Sequence, residues 1–246
     1  MQKSELKLLY HYSKLEGWDS EEIHTVSLLK TQPDDFFIAY KDEQLIGFIV
    51  AIKHSNSFGF ISTFLVLKEF RGLGYGKIIF QHALQHLDGC QIALESIIDK
   101  QFIYEKIGFV SYFYVVTYKF VKGSIIMKES ATPIMDLEKK LSLDGQTPYM
   151  KDLLLSEGVN YKAIKKEALI SSFAYSFKYV DGYKVTIDSD DVNEAVVLFF
   201  ALVENFENGT NIYLQATKLS PLLLALVEAL KMSEYSKLVR MYNKVI

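Results

Sequence analysis

The chain's 246 residues, half of them hydrophobic, suit one large or two small packed domains and exclude a disordered or fibrous chain. A formal charge of −3 offers nucleic acid no basic field, and the lone cysteine, Cys90, excludes an internal disulfide framework and fits a reducing compartment. No apolar run nears the roughly 20 residues of a membrane helix, so a soluble cytoplasmic protein with neither nucleic-acid nor membrane partners is expected.

Residues 3–31 carry the 3.6-residue apolar repeat of helices, broken at Glu16-Gly17-Trp18-Asp19. Alternation predicts strands over 36–40 and 45–53, joined by the polar turn Lys41-Asp42-Glu43-Gln44. A third strand over 58–67 runs into the stretch "RGLGYGK" at 71–77. The helix expected next places Phe80, Ala83, Leu84 and Leu87 on one face and closes at Asp88-Gly89. His82 and His86 have the i, i+4 spacing of metal ligands, but no third ligand is visible, and their face reads as solvated. "CQIALESI" predicts a short strand beginning at Cys90, and "DKQFIYEKIGF" a short helix stopped by Gly108. "FVSYFYVVTYKF" is apolar on both faces, which predicts a long strand interior to a sheet.

Residues 123 to about 180 mix helical pieces with turn signals at Asp144-Gly145 and Pro148, predicting a helical connector with Lys165 and Lys166 on its wet surface. From Gly182 the earlier order returns. A strand "YKVTID" precedes a helix opened by a capping box of Asp191 with Glu194. A strand "NIYLQA" precedes a helix with Ser220 as N-cap and Pro221 in its first turn, and "YSKLVRMY" is a final strand. Recurrence of one element order at an offset of roughly 120 residues suggests an internal duplication.

The stretch Arg71-Gly72-Leu73-Gly74-Tyr75-Gly76-Lys77 lies between a predicted strand and a predicted helix. Glycines let a ligand approach the backbone amides without meeting a Cβ, and unpaired N–H groups at a helix start attract anions. Arg71 and Lys77 add positive charge, so the loop reads as a diphosphate cradle. It is not a P-loop, because the required first glycine falls on Arg71 and Ile78 follows the lysine. Nor is it a G-x-G-x-x-G fingerprint, because the glycines stand at 72, 74 and 76.

Together these residues resemble the GCN5-related N-acetyltransferase (GNAT) superfamily. Its coenzyme motif, [RQ]-x-x-G-x-[GA] between a strand and a helix, is matched by Arg71, Gly74 and Gly76, and its Y-E-K-x-G-F motif by "YEKIGF" from Tyr104 to Phe109. "EGWDSEEIH", "VRMY" and an acid nine residues before the motif tyrosine (Glu95, with Gln101 between) are similar to bacterial members with a second GNAT-like half.

The resemblance implies an α/β fold, a mixed and mostly antiparallel sheet flanked by helices, with a GNAT domain over residues 1–122. Residues 123–246 would hold the helical connector and a degenerate GNAT-like copy. It implies acetyl-CoA as co-substrate, direct acetyl transfer to the amine of a small-molecule or peptide acceptor, and backbone pairing of Leu65, Val66 and Leu67 with pantetheine. Tyr104 is the candidate general acid at the thioester sulfur, and Glu95, beside the splay of two strands, the candidate base. Trp18 suits either the lining of an acceptor pocket or a hydrophobic plug. A reading from another class, a non-catalytic acetyl-CoA or acyl-CoA sensor, fits the same donor motifs.

In the second half the corresponding loop is Asp188-Ser189-Asp190-Asp191, whose carboxylates would repel a diphosphate. That half is therefore expected to cover a sheet edge, shape the acceptor pocket or mediate self-association into a homodimer.

Overall fold

The computed structural model describes residues 1–19, 21–123, 136–138, 147–166 and 169–243. The chain divides into two compact units, Met1–Tyr114 with Leu238–Ile246, and Val115–Lys237.

The first unit opens with helices α1 (Leu6–Leu15) and α2 (Glu22–Thr31), then strands β1 (Phe36–Lys41), β2 (Gln44–Lys53) and β3 (Phe58–Val66). Helix α3 (Tyr75–His86), strand β4 (Gln91–Ile97), the short helix α4 (Gln101–Glu105) and the start of strand β5 (Phe109–Val121) follow. Asp42 and Glu43 take left-handed φ of 47° and 65° at the β1–β2 turn, the conformation that matches strand twist in a two-residue hairpin. Strand β11 (Ser233–Asn243) returns from the far end of the sequence, and Leu238–Tyr242 pair antiparallel with Ile97–Ala93 of β4. The resulting order is β1-β2-β3-β4-β11, antiparallel except for the parallel β3–β4 pair.

Two cores lie on the two faces of this sheet. One face packs under α3, with Ile61, Phe80, Leu87, Ile92, Leu94, Phe109, Val239 and Met241. The other packs Leu6, Leu9 and Leu29 of α1 and α2 on Phe36, Phe48, Val50 and Leu65. The Cys90 side chain is buried just before β4, which begins one residue later than the sequence suggested. His82 is exposed with Gln81 and Gln85, as a solvated face requires, whereas His86 is half-buried. Both histidine rings stack edge-on against Phe37, and His86 Nε2 meets the buried Asp35 carboxylate at 2.6 Å.

The second unit begins within β5 and holds β6 (Asp136–Glu138), α5 (Pro148–Leu155), β7 (Asn160–Lys166), β8 (Leu169–Tyr179) and β9 (Gly182–Asp188). Helix α6 (Val192–Val203), strand β10 (Asn211–Thr217) and helix α7 (Pro221–Ala229) follow. Its sheet runs β5-β10-β9-β8-β7-β6, again with a single parallel pair, β9–β10. The order strand, loop, helix, parallel strand thus occurs once in each unit, as β3–α3–β4 and β9–α6–β10. Asp144 and Gly145 lie outside the described residues.

The expectation of a helical connector up to about 180 fails beyond α5. Residues of "YKAIKK" and "LISSFAYSFKY" form β7 and β8 instead. The buried face of β8 includes Ser172, Ala174 and Ser176, small and partly polar residues that hide the two-residue alternation. Lys166 accordingly sits on a strand, where its ammonium pairs with Glu194 at 2.5 Å.

Asp191 caps α6 as expected, accepting from the amides of Asn193 (2.7 Å) and Glu194 (3.2 Å). The reciprocal half of the capping box is absent, because the buried Glu194 side chain turns to Lys166, Ser171 and Ser172. Burial pushes the Glu194 carboxyl up, but Lys166 and the two serine hydroxyls outweigh it and hold it below the ordinary glutamate value. A folded pKa below the unfolded one contributes stability that is present above the unfolded value and fades as pH falls through the folded one. Acid unfolding should therefore begin as pH drops below about 4.5, and Glu194→Gln should flatten the dependence when circular dichroism is followed against pH.

Candidate donor and catalytic site

The glycine loop is shaped by two left-handed glycines, Gly72 (φ 75°) and Gly74 (φ 89°), conformations that an L side chain adopts only with strain. Gly74 stands at the N-cap of α3, and no side chain caps that helix. The first amide bonded within the turn is that of Lys77, to Gly74 O at 3.1 Å. The amides of Gly74, Tyr75 and Gly76 have no partner among the described residues and carry the positive end of the helix dipole. A Cβ on Gly76 would touch Phe64 and Val66 at 3.5 Å, so these amides lie over the end of β3.

Strand β3 leaves its parallel neighbour at that end. Pairing with β4 stops at Ile61↔Leu94, while β4 continues with β11 and β3 continues with β2. The edge of β3 over residues 62–66 is thereby open on the β4 side, and this is the expected splay. Leu67 N donates to Ile46 O at 2.8 Å, so the backbones of Leu65 and Leu67 turn toward β2 and their side chains are buried. Strand alternation then places the backbones of Val66 and Phe64 on the open edge. Of the three residues named from the sequence, only Val66 faces the splay. Phe64 was missed, although a two-residue count from Val66 would have found it.

Arg71 is held on two sides. Its Nε donates to Val66 O at 2.8 Å, and its Nη2 lies 2.8 Å from Glu16 Oε1. Leu73 is exposed, and Tyr75 packs edge-on against Phe70 with the Lys41 ammonium 5.6 Å from its ring centre.

Tyr104 on α4 is half-buried against Phe80 and Phe109, at ring distances of 5.9 and 6.4 Å. Its hydroxyl has no hydrogen-bond partner among the described residues, and burial raises its pKa above the ordinary tyrosine value, keeping it protonated at neutral pH. Glu95 lies on the other face of the sheet from Tyr104, since its neighbour Leu94 shares the Tyr104 core and side chains alternate along a strand. It stands directly across from Arg240 of β11, whose Nε and Nη2 both reach Oε1. The guanidinium also lies 5.0 Å from the Phe60 ring centre and 5.9 Å from that of Phe113. Oε2 has no partner among the described residues. Sequence reading did not find Arg240 as the Glu95 partner; the only signal was its place in "VRMY", 145 residues away.

A left-handed glycine turn into a helix beside a parallel strand pair that splays gives this α/β unit unpaired amides next to an open strand edge, an arrangement able to hold an elongated anion. The acetyltransferase (GNAT) family model matches residues 4–109, within the first unit. No curated protein sequence matches it. Among solved structures, a Pyrococcus horikoshii protein described as an acetyltransferase superposes with TM-score 0.70 at 16% identity, over 91% of this chain and 78% of that one. A tandem GNAT protein from the clavulanic acid biosynthesis pathway gives 0.58 at 10% identity, over 89% of this chain and 86% of that one. A GCN5-related N-acetyltransferase from Kribbella flavida gives 0.61 at 11%, over 90% and 62%. At these identities the likeness is one of fold, and in the tandem protein it extends through the second half.

Proposed function

We propose that the first unit transfers an acetyl group from acetyl-CoA to an acceptor amine. The observation that carries this reading is the set of free amides at Gly74, Tyr75 and Gly76, uncapped by any side chain and seated over the open edge of β3. The diphosphate binds those amides with Arg71 and Lys77 beside it, and the pantetheine amides pair with the backbones of Phe64 and Val66 as an added strand. This lays the thioester in the splay between β3 and β4.

The acceptor enters as a neutral amine, and its nitrogen must lose one proton as the C–N bond forms. Glu95 Oε2, left unpaired when Arg240 takes Oε1, receives that proton directly or through a water. The C–N bond forms as the C–S bond breaks, and Tyr104, whose protonated form burial favours further, donates to the departing thiolate. In the second unit the loop between β9 and α6 has filled its own helix start with Asp191, so that unit takes no donor at this position. Its role is to complete and support the fold.

Steady-state kinetics with a panel of small amines and peptides tests the reading. Tyr104→Phe should lower turnover by about 10²-fold, the ordinary size of a general-acid effect, with acetyl-CoA affinity within a few-fold of wild type. Equal turnover across the pH range would remove Tyr104 from the chemistry. Tight donor binding with no acetylation of any amine would favour the sensor reading.

A further inference from the structure

We propose that Glu16 is a positioning residue for the donor, acting through Arg71; this rests on the donor site described above. Glu16 is launched from a rigid point. It closes α1, its amide is shared between Tyr12 O and Ser13 O at 3.2 Å, and the turn is locked by Gly17 (φ 74°) and by Trp18 N to Ser13 O at 3.0 Å. Its carboxylate meets Arg71 from one side while Val66 O meets it from the other. Two contacts to one planar guanidinium fix the plane of the group, and Nη1 with the second Nη2 hydrogen is left to meet an anion. The loop that follows has left-handed glycines at 72 and 74, with nothing packed where a Cβ would stand, and the Arg71 side chain ties its start to Glu16 and Val66.

A carboxylate beside a diphosphate site opposes the ligand by like-charge repulsion. Its presence within 2.8 Å of the loop's arginine has a positive effect on binding only if it orients that arginine. The same strut ties the donor loop to the turn that carries Trp18, the one tryptophan in the chain. Donor binding at Arg71 is thereby felt at Trp18.

Two substitutions separate orientation from charge. Glu16→Gln removes the negative charge and keeps an oxygen for Arg71, whereas Glu16→Ala removes both. Calorimetric titration with acetyl-CoA should find the glutamine variant at least as tight as wild type, and the alanine variant about ten-fold weaker than the glutamine one, the size of a lost charge-assisted contact. Acetyl-pantetheine, which lacks the diphosphate, should bind wild type and both variants alike. Trp18 emission should change on saturation with acetyl-CoA in wild type and Glu16→Gln, and stay flat in Glu16→Ala. Should Glu16→Ala fail to fold, Arg71→Lys keeps the charge, loses the fork, and should show the same selective loss for acetyl-CoA.

Equal acetyl-CoA affinity in the two Glu16 variants, or equal weakening of both donors, would overturn the proposal while leaving the donor site standing. No uptake of acetyl-CoA by the wild-type protein would remove both.

Discussion

Gly74→Asp will abolish acetyl-CoA binding and leave the protein folded. Two effects act together. The backbone at Gly74 has φ 89°, where an L side chain costs roughly 1–2 kcal/mol. More decisively, a carboxylate at the N-cap of α3 would accept from the amides two and three residues on, and so occupy the donors proposed for the diphosphate. The chain already contains that outcome: Asp191 caps α6 through the amides of Asn193 and Glu194 at the corresponding point of the second unit. The substitution would convert the first loop into the second. Isothermal calorimetry should register no heat with acetyl-CoA, and circular dichroism should remain close to wild type. Unchanged affinity would show that the diphosphate lies elsewhere.

Met241→Ala should destabilise the first unit by about 2–5 kcal/mol, the cost of emptying a fully buried side-chain site. Met241 is completely buried, stands opposite Leu94 in the β4–β11 register, and belongs to the core under α3 that also holds Phe80 and Phe109. Against a typical total of about 5–15 kcal/mol, a loss of that size lowers the unfolding midpoint substantially. Urea unfolding followed by Trp18 emission reads the first unit directly, because that tryptophan lies within it. A change below about 1 kcal/mol would mean that a residue from the far end of the sequence adds little to this core.

The loop proposed for the donor was legible as a strand–glycine turn–helix because its signals are local. Glycines at 72 and 74 announce left-handed backbone, the cations flank them, and the strand before and helix after follow from periodicity alone. Gly108, at φ 97°, ends α4 as its identity suggested. What could not be read is what the topology brings from a distance. "YSKLVRMY" was legible as a strand, but not as the neighbour of β4. Arg240 reaches Glu95 only through that return, and Glu16 reaches Arg71 only because α1 ends over the loop.

Other misses have chemical causes. Ser172 and Ser176 are polar letters at buried positions, so β8 lost its alternation in the sequence. His86 looked solvated because Phe37 lies on β1 and Asp35 is 51 residues away, and neither contact is visible from α3 alone. Lys166 is exposed as expected but lies on a strand, and a solvated lysine and one bridging to a buried glutamate are identical in one dimension.

Amide hydrogen exchange with and without acetyl-CoA tests the central claim most directly, because the site is made of backbone. Protection should rise at Gly74, Tyr75 and Gly76 and at Phe64 and Val66, with the α6 start around Asn193 and Glu194 unchanged. Binding that leaves those five amides exchanging at their free rates would contradict the account.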